Sequence, residues 1–286
     1  MDQRRGDRLL TIDYATYWSV LPVGIAVATV AMSTGIDGAA FWAPVLLLGY
    51  GIEPHTAVAC GVLIEFFGFG SGTVGYAGKK KIMYGTAGLM LSAGLTAGML
   101  GALISKQIPP KSLVFIMGTG CAFLMYYNAG QARAHAKNAR TANGGACPDE
   151  AANSPAHRRL AGLALGAIGG FFTGTIGVGL GITNNYYFHA LKRYPVPLSS
   201  GTSVFIIAIT AFFTSLVNLG YYGYGHELDV NKMAGILIFA IPAVILGAQA
   251  GVKLSHVIDK KRFCYFAAVV FSAMALIAFY RVFFVL

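Results

Sequence analysis

Apolar positions in this chain gather into long runs separated by short polar or glycine-rich stretches. The runs fall at about Tyr17 to Ser33, Ala39 to Tyr50, Thr56 to Tyr76, Gly85 to Ser105 and Ser112 to Tyr127, then at about Leu160 to Ile176, Ile182 to Leu191, Leu198 to Tyr222, Met233 to Leu254 and Phe263 to Phe284. Most have the length and character of membrane helices. The second run of each set is short, since about twelve residues at 1.5 Å rise reach about 18 Å, against a hydrocarbon core of about 30 Å. These short runs are either half-helices, each paired with its predecessor in a hairpin that turns near mid-membrane, or short steep spans. Both alternatives give ten helical segments.

Two interruptions differ from ordinary loops. Gly35-Ile36-Asp37-Gly38-Ala39 and Gly177-Val178-Gly179-Leu180-Gly181-Ile182-Thr183-Asn184-Asn185 each follow an apolar run and break it with glycines and hydrogen-bonding side chains, not with charges. Backbone that leaves helix geometry inside a bilayer must face protein or a watery cavity, because lipid satisfies neither N–H nor C=O. Two such breaks at matched positions point to a transport site.

Composition agrees. With 56% hydrophobic and 11% charged residues among 286, 37 glycines and a mean hydropathy of +0.64, the chain carries too much apolar surface for a soluble core and reads as a polytopic membrane protein. The net charge of +10 resides in short basic groups between apolar runs, as in positive-inside loops, so nucleic acid is not the expected partner. Cys60, Cys121, Cys147 and Cys264 share no CxxC spacing, which argues against a disulfide framework, and neither metal nor cofactor is expected. The first apolar run follows Arg4, Arg5 and Arg8 without a small-residue cleavage site, and is read as an uncleaved membrane segment.

The two sets of runs align without gaps at an offset of 142 residues over their first three segments, pairing Gly24 with Gly166, Gly35 with Gly177 and Val62 with Val204. After an eight-residue insertion the offset becomes 150, pairing Gly101 with Gly251 and Ser105 with Ser255. A register held over most of both halves marks an internal duplication. The chain then divides into a tail (1–16), a first membrane repeat (17–128), a linker (129–158) and a second membrane repeat (159–286). The linker has no apolar period, and its Arg133, Lys137 and Arg140 place it in the cytoplasm. Lys79-Lys80-Lys81, Lys192-Arg193 and Lys260-Lys261-Arg262 do the same for their loops, whereas the loop at Glu53 to His55 has no Lys or Arg. All strongly basic loops fall on one side only if each half crosses an odd number of times, which makes the halves inverted repeats. The three arginines of the tail then lie outside, against the rule.

Three groups of residues could carry chemistry. At the breaks, Gly35, Gly38, Ala39, Gly177, Gly179 and Gly181 permit close backbone approach, and a following half-helix offers unpaired N–H groups to an anion, with Thr183, Asn184 and Asn185 as further partners. A dinucleotide fingerprint fails there because Ile182 stands where the third glycine belongs. Gly166, Gly170 and Gly174, at four-residue steps, read as helix packing. Asp37 on the first break and Glu65 in mid-segment each cost about 2.5 to 3.5 kcal/mol or more to bury charged, which makes both candidates for proton coupling. Thr202 and Ser203 open the third segment of the second half, where Cys60 and Gly61 stand in the first. Their hydroxyls could face the break or bond the preceding turn. His189 reads as interfacial, and the flanking tyrosines with Trp18 as an aromatic belt.

Gly35 to Pro44 with Val45-Leu46-Leu47-Leu48-Gly49 and Pro54-His55-Thr56-Ala57-Val58-Ala59 resembles the first repeat of the TauE/SafE sulfite exporter family, also called the toluenesulfonate uptake permease family. Gly174 to Gly181 and Ser200-Gly201-Thr202-Ser203 resemble its second repeat. The resemblance implies a secondary carrier of the bacterial inner membrane for sulfite, organosulfonates or related small anions. The chain departs from the family's glycine triplet with Asp37-Gly38-Ala39, and an aspartate repels a sulfonate unless it is protonated or the substrate differs. The expected protein is thus an all-α, polytopic integral membrane protein of two inverted repeats of about five helical segments each. It would carry a small anionic substrate by alternating access in a lipid bilayer, with no cofactor and with a homo-oligomer left open. A passive anion channel, a carrier of a small carboxylate and a membrane enzyme are the alternatives. The enzyme would need a converging cluster that the scattered Asp37, Glu65 and His189 do not announce.

Overall fold

The computed structural model describes residues 17–34, 37–140, 155–192, 194–223, 230–254 and 260–284. The tail, Gly35, linker residues 141–154 with Cys147, and the loop with Glu227 and Asp229 lie outside the described residues. Those described form ten α-helices, and no strand occurs among them: α1 (Val20–Thr34), α2 (Ala39–Gly49), α3 (Pro54–Gly78), α4 (Tyr84–Ser105), α5 (Pro110–Arg140), α6 (Pro155–Ile176), α7 (Leu180–Asn185), α8 (Val196–Gly223), α9 (Val230–Leu254) and α10 (Lys260–Phe284). A π-helical turn, Tyr186–Leu191, continues α7. Six of these helices are long and apolar enough to cross a membrane: α3, α4, α5 over Pro110–Gly130, α6 over Arg159–Ile176, α8 and α9. The bundle's outward faces carry Phe123, Leu246, Val269 and Leu276, each more than half exposed, as expected where lipid replaces water.

Local chemistry sets the ends. Glu53 caps α3 by accepting from His55 N (3.2 Å) and Thr56 N (3.0 Å), with Pro54 pre-set for the first turn. Helix α5 runs on through 129–140, where the linker was expected to begin. The segment is rich in alanine, the strongest helix former, and carries Arg133, Lys137 and Arg140, so its helicity does not depend on an apolar stripe.

The short segments form hairpins. Just before α1, the Ser19 hydroxyl lies 2.7 Å from the Tyr50 hydroxyl beyond the end of α2, and the Tyr17 and Tyr50 rings are 5.9 Å apart. So α1, about 22 Å long, goes in, and α2, about 16 Å long, comes back to the same end. In the second half, Tyr187 after α7 returns to Gly162 near the start of α6, and a methyl group at Gly162 would touch its hydroxyl.

Inter-helix contacts then give direction to the rest. At one end lie Tyr50, Glu53, the Lys106 ammonium 5.9 Å from the Tyr221 ring, and Arg281, which donates to Leu47 O (2.7 Å). At the other end lie Lys79, which donates to Val252 O (3.1 Å), and Met83 N, which donates to Thr202 Oγ1 (3.1 Å). Helix packing joins the halves reciprocally: α4 lies on α6 as α9 lies on α1, α3 packs on α9 as α8 packs on α4, and α3 meets α8 as α5 meets α10. The glycines repeat this at atomic scale. A methyl group at Gly101 would run into the Phe171 carbonyl, and one at Gly251 into the Thr29 carbonyl. Thr29 and Phe171 are 142 residues apart, and Gly101 and Gly251 are 150 apart, the two offsets of the duplication.

Candidate functional site

The two hairpin tips touch. Helix α6 ends at Gly177, which takes φ +79°, a left-handed conformation that glycine adopts without a Cβ penalty. A methyl group there would also sit 3.1 Å from Ala39 Cβ of the other break. The chain then enters α7 through Gly179. The first N–H groups of a helix have no partner within it, and here three of them find one elsewhere. Asp37 Oδ2 accepts from Gly179 N (2.6 Å), Asp37 Oδ1 accepts from Gly181 N (2.8 Å), and Thr173 Oγ1 accepts from Leu180 N (2.9 Å). Asp37 and Gly179 are 142 residues apart, the offset at which the two sets of apolar runs align, and the bond links the two breaks. At the other break Glu65 Oε1 accepts from Ala39 N (3.1 Å) at the start of α2.

The amides that sequence reasoning offered to an anion are therefore held by the protein's own carboxylates. Both acids belong to the first half, and their counterparts in the second are Gly179 and Ile207. Asp37 and Glu65 are 1% and 2% exposed, so neither charge is screened by water. Glu65 Oε2 has no hydrogen-bond partner. It borders a small cavity among Val27, Met32, Trp42, Phe69 and Val244 that has room for about one water molecule.

Asn184 and Asn185 are buried, as two amides inside a membrane protein should be. Asn184 Nδ2 donates to Ser203 Oγ (3.1 Å) while its Oδ1 has no partner, so Ser203 joins the second break. Thr202 and Thr183 do other work. The Thr202 hydroxyl donates to Leu198 O (2.7 Å) and accepts from Met83 N, which fastens the turn before α4. Thr183 Oγ1 donates back to Gly179 O (3.2 Å) within its own helix. Cys60 is buried in the apolar core. Gly166, Gly170 and Gly174 face the α4 backbone, where any side chain would collide. Gly35 and the His189 side chain lie outside the described residues.

Thr173 was missed by sequence reasoning, although a threonine one turn before a helix-ending glycine is placed to cap the next helix. Also missed was Lys106, just beyond the membrane-spanning part of α4. Burial pushes its ammonium down from the usual 10.5 to about 8, with the Glu53 carboxylate opposing.

No curated protein and no solved structure matches the chain. Residues 20–278 match the family described as "Sulfite exporter TauE/SafE", so this multi-pass membrane protein belongs to that family, whose membership implies transport of sulfite or related anions.

Proposed function

We propose that the protein is a secondary carrier of the bacterial inner membrane that exports a small sulfur-containing anion, such as sulfite or an organosulfonate, by alternating access around the contact between the two hairpin tips. The observation that carries this reading is the bond of Asp37 to the Gly179 and Gly181 amides across that contact. A site that holds a carboxylate with two backbone N–H groups has the geometry to hold one face of an oxyanion. Substrate and Asp37 then compete for the same amides. A proton on Asp37 weakens its grip and removes its repulsion, so proton uptake and anion binding favour each other. Glu65 acts alike at the Ala39 amide. Asn184, Asn185 and Ser203 supply side-chain bonds, and Gly38, Gly177 and Gly181 allow close backbone approach. The halves are inverted repeats: each is a hairpin plus three long helices, an odd number of crossings, and this is supported by the gathering of Lys79, Lys80, Lys81 and Lys192 at one end. One hairpin bundle rocks against the other around the tips.

The test is flux of sulfite, thiosulfate and small sulfonates in proteoliposomes with an imposed pH gradient. A carrier gives saturable flux and uphill movement when the gradient is applied. Flux that rises linearly with concentration and ignores the gradient would instead mean a channel. Transport of a small carboxylate but of no sulfur anion would replace the substrate class.

A further inference from the structure

Helix α8 is polar on the wrong face for a soluble protein. Its outward residues Phe212, Phe213, Leu216 and Leu219 are more than a third exposed, while Thr210, Thr214, Ser215 and Asn218 point inward and are at most 3% exposed. None of the four finds a hydrogen bond: Thr210 Oγ1, Thr214 Oγ1, Ser215 Oγ and both polar atoms of Asn218 are buried and unpartnered. Serines and threonines in membrane helices ordinarily bond the carbonyl one turn back, as Thr202 does in the first turns of this helix. An amide with neither donor nor acceptor satisfied is rarer still, and in a protein interior it calls for a ligand or water in some working state.

The stripe has direction. From Thr210 to Asn218 it covers about 12 Å along the helix. Its inner end lies against Gly98 of α4, where a methyl group would meet Thr210 and Thr214 and also the Gly170 carbonyl of α6, the hairpin helix that ends at the tip. Its outer end is one turn from Tyr221, whose ring lies 5.9 Å from the Lys106 ammonium. On α4 it is Gly98, with no side chain of its own, that faces the stripe, while Gly94 and Gly101 face α6 and the start of α7. The matching face of α3 differs. There Gly68 is filled by Val244, Gly72 by Met32, and Tyr76 donates to Met32 O (3.0 Å). Thr73, the counterpart of Ser215, also has an unpartnered hydroxyl, so the two faces differ in number: Thr210, Thr214, Ser215 and Asn218 are unsatisfied on α8, against Thr73 alone at the matching positions of α3.

We infer that the inward face of α8, Thr210, Thr214, Ser215 and Asn218, lines a hydrated half-channel that conducts a small oxyanion between the Tyr221/Lys106 end and the hairpin tips. Hydroxyl and amide N–H donors suit an oxyanion that sheds water in steps. This rests on the carrier reading above. The test uses full-length protein in proteoliposomes, with native cysteines replaced and transport retained, bearing Thr214→Cys or Asn218→Cys on the stripe or Leu216→Cys on the lipid face. The stripe cysteines should react with an anionic, membrane-impermeant methanethiosulfonate at least tenfold faster than the Leu216 variant, and ethanesulfonate should slow them. In parallel, Thr214→Val removes a hydroxyl without changing shape. It should lower flux severalfold while leaving the melting temperature equal or higher, since no hydrogen bond is lost. Stripe cysteines as inert as Leu216→Cys, with Thr214→Val carrying normal flux, would overturn the half-channel even if transport itself is intact. Fast labelling in protein that moves no anion would keep the hydrated route and overturn the carrier reading instead.

Discussion

In the carrier proposed above, Asp37 is the residue on which the two states of the site turn. It joins the halves through two charge-assisted bonds, each worth about 1.5 to 3 kcal/mol when the charged partner is present. Asp37→Asn keeps one acceptor oxygen and turns the other into a donor that faces a donor. Its expected cost is about 2 kcal/mol in a thermal melt, with transport that varies less with pH than in the wild type, Glu65 being left to titrate alone. A variant with the wild-type pH profile would take Asp37 out of proton coupling. Lys106 gives a second readout, this time on stability. Burial lowers its folded value to about 8 from the usual 10.5, so between those values the unfolded chain binds the extra proton and rising pH favours the fold. Below about 8 both states are protonated and the burial penalty is constant. Lys106→Met should therefore be more stable than wild type at pH 7, with the gap in melting temperature narrowing from pH 8 towards 10.5. A gap that stays the same across that range would mean that the ammonium is solvated.

At the scale of elements, the helices follow from glycine and apolar runs, and the joins follow from side chains that those runs do not display. The boundaries of α2 and α4 fall within a residue of the apolar stretches, because lipid forces every backbone group in them to bond within the helix. The hairpin form of α1 with α2 could not be chosen from length alone. It rests on the pairing of Ser19 with Tyr50, residues that look like ordinary belt positions in sequence. Likewise both acids were visible as costly intramembrane carboxylates, but which amides they hold depends on how the repeats cross. The duplicated register was legible, and it makes a sharp prediction. Gly101→Ala and Gly251→Ala each drive a methyl group into a carbonyl of the partner helix, so both should lose about 1 to 3 kcal/mol, and by similar amounts. Gly88→Ala, on the open side of α4, should instead gain about 0.5 to 1 kcal/mol from helix propensity. Unequal losses at the first pair, seen by thermal melting in detergent, would show that the two seams are not equivalent.

Across the whole molecule, charge and contact geometry agree on orientation. Lys79, Lys80, Lys81 and Lys192 share one end of the bundle with the starts of α4 and α8. Glu53, Lys106 and Tyr221 share the other, together with the start of α1. In the proposed inverted arrangement, a hairpin and three long helices carry the first half from the Glu53 end to the lysine end, and the second half makes the same passage backwards. For that arrangement the positive-inside rule predicts a cytoplasmic lysine end, against the tail, whose three arginines precede a segment that starts at the Glu53 end. The rule weighs short loops near membrane ends most heavily, and the lysine end has more of them. In right-side-out vesicles of the cysteine-replaced protein, Glu53→Cys should be blocked by an impermeant maleimide added outside, and Lys80→Cys should react only after the membrane is opened. Labelling of both from the same face would mean that α3, the one helix between them, does not cross the bilayer, and the proposed count of an odd number of crossings in the first half would fall with it.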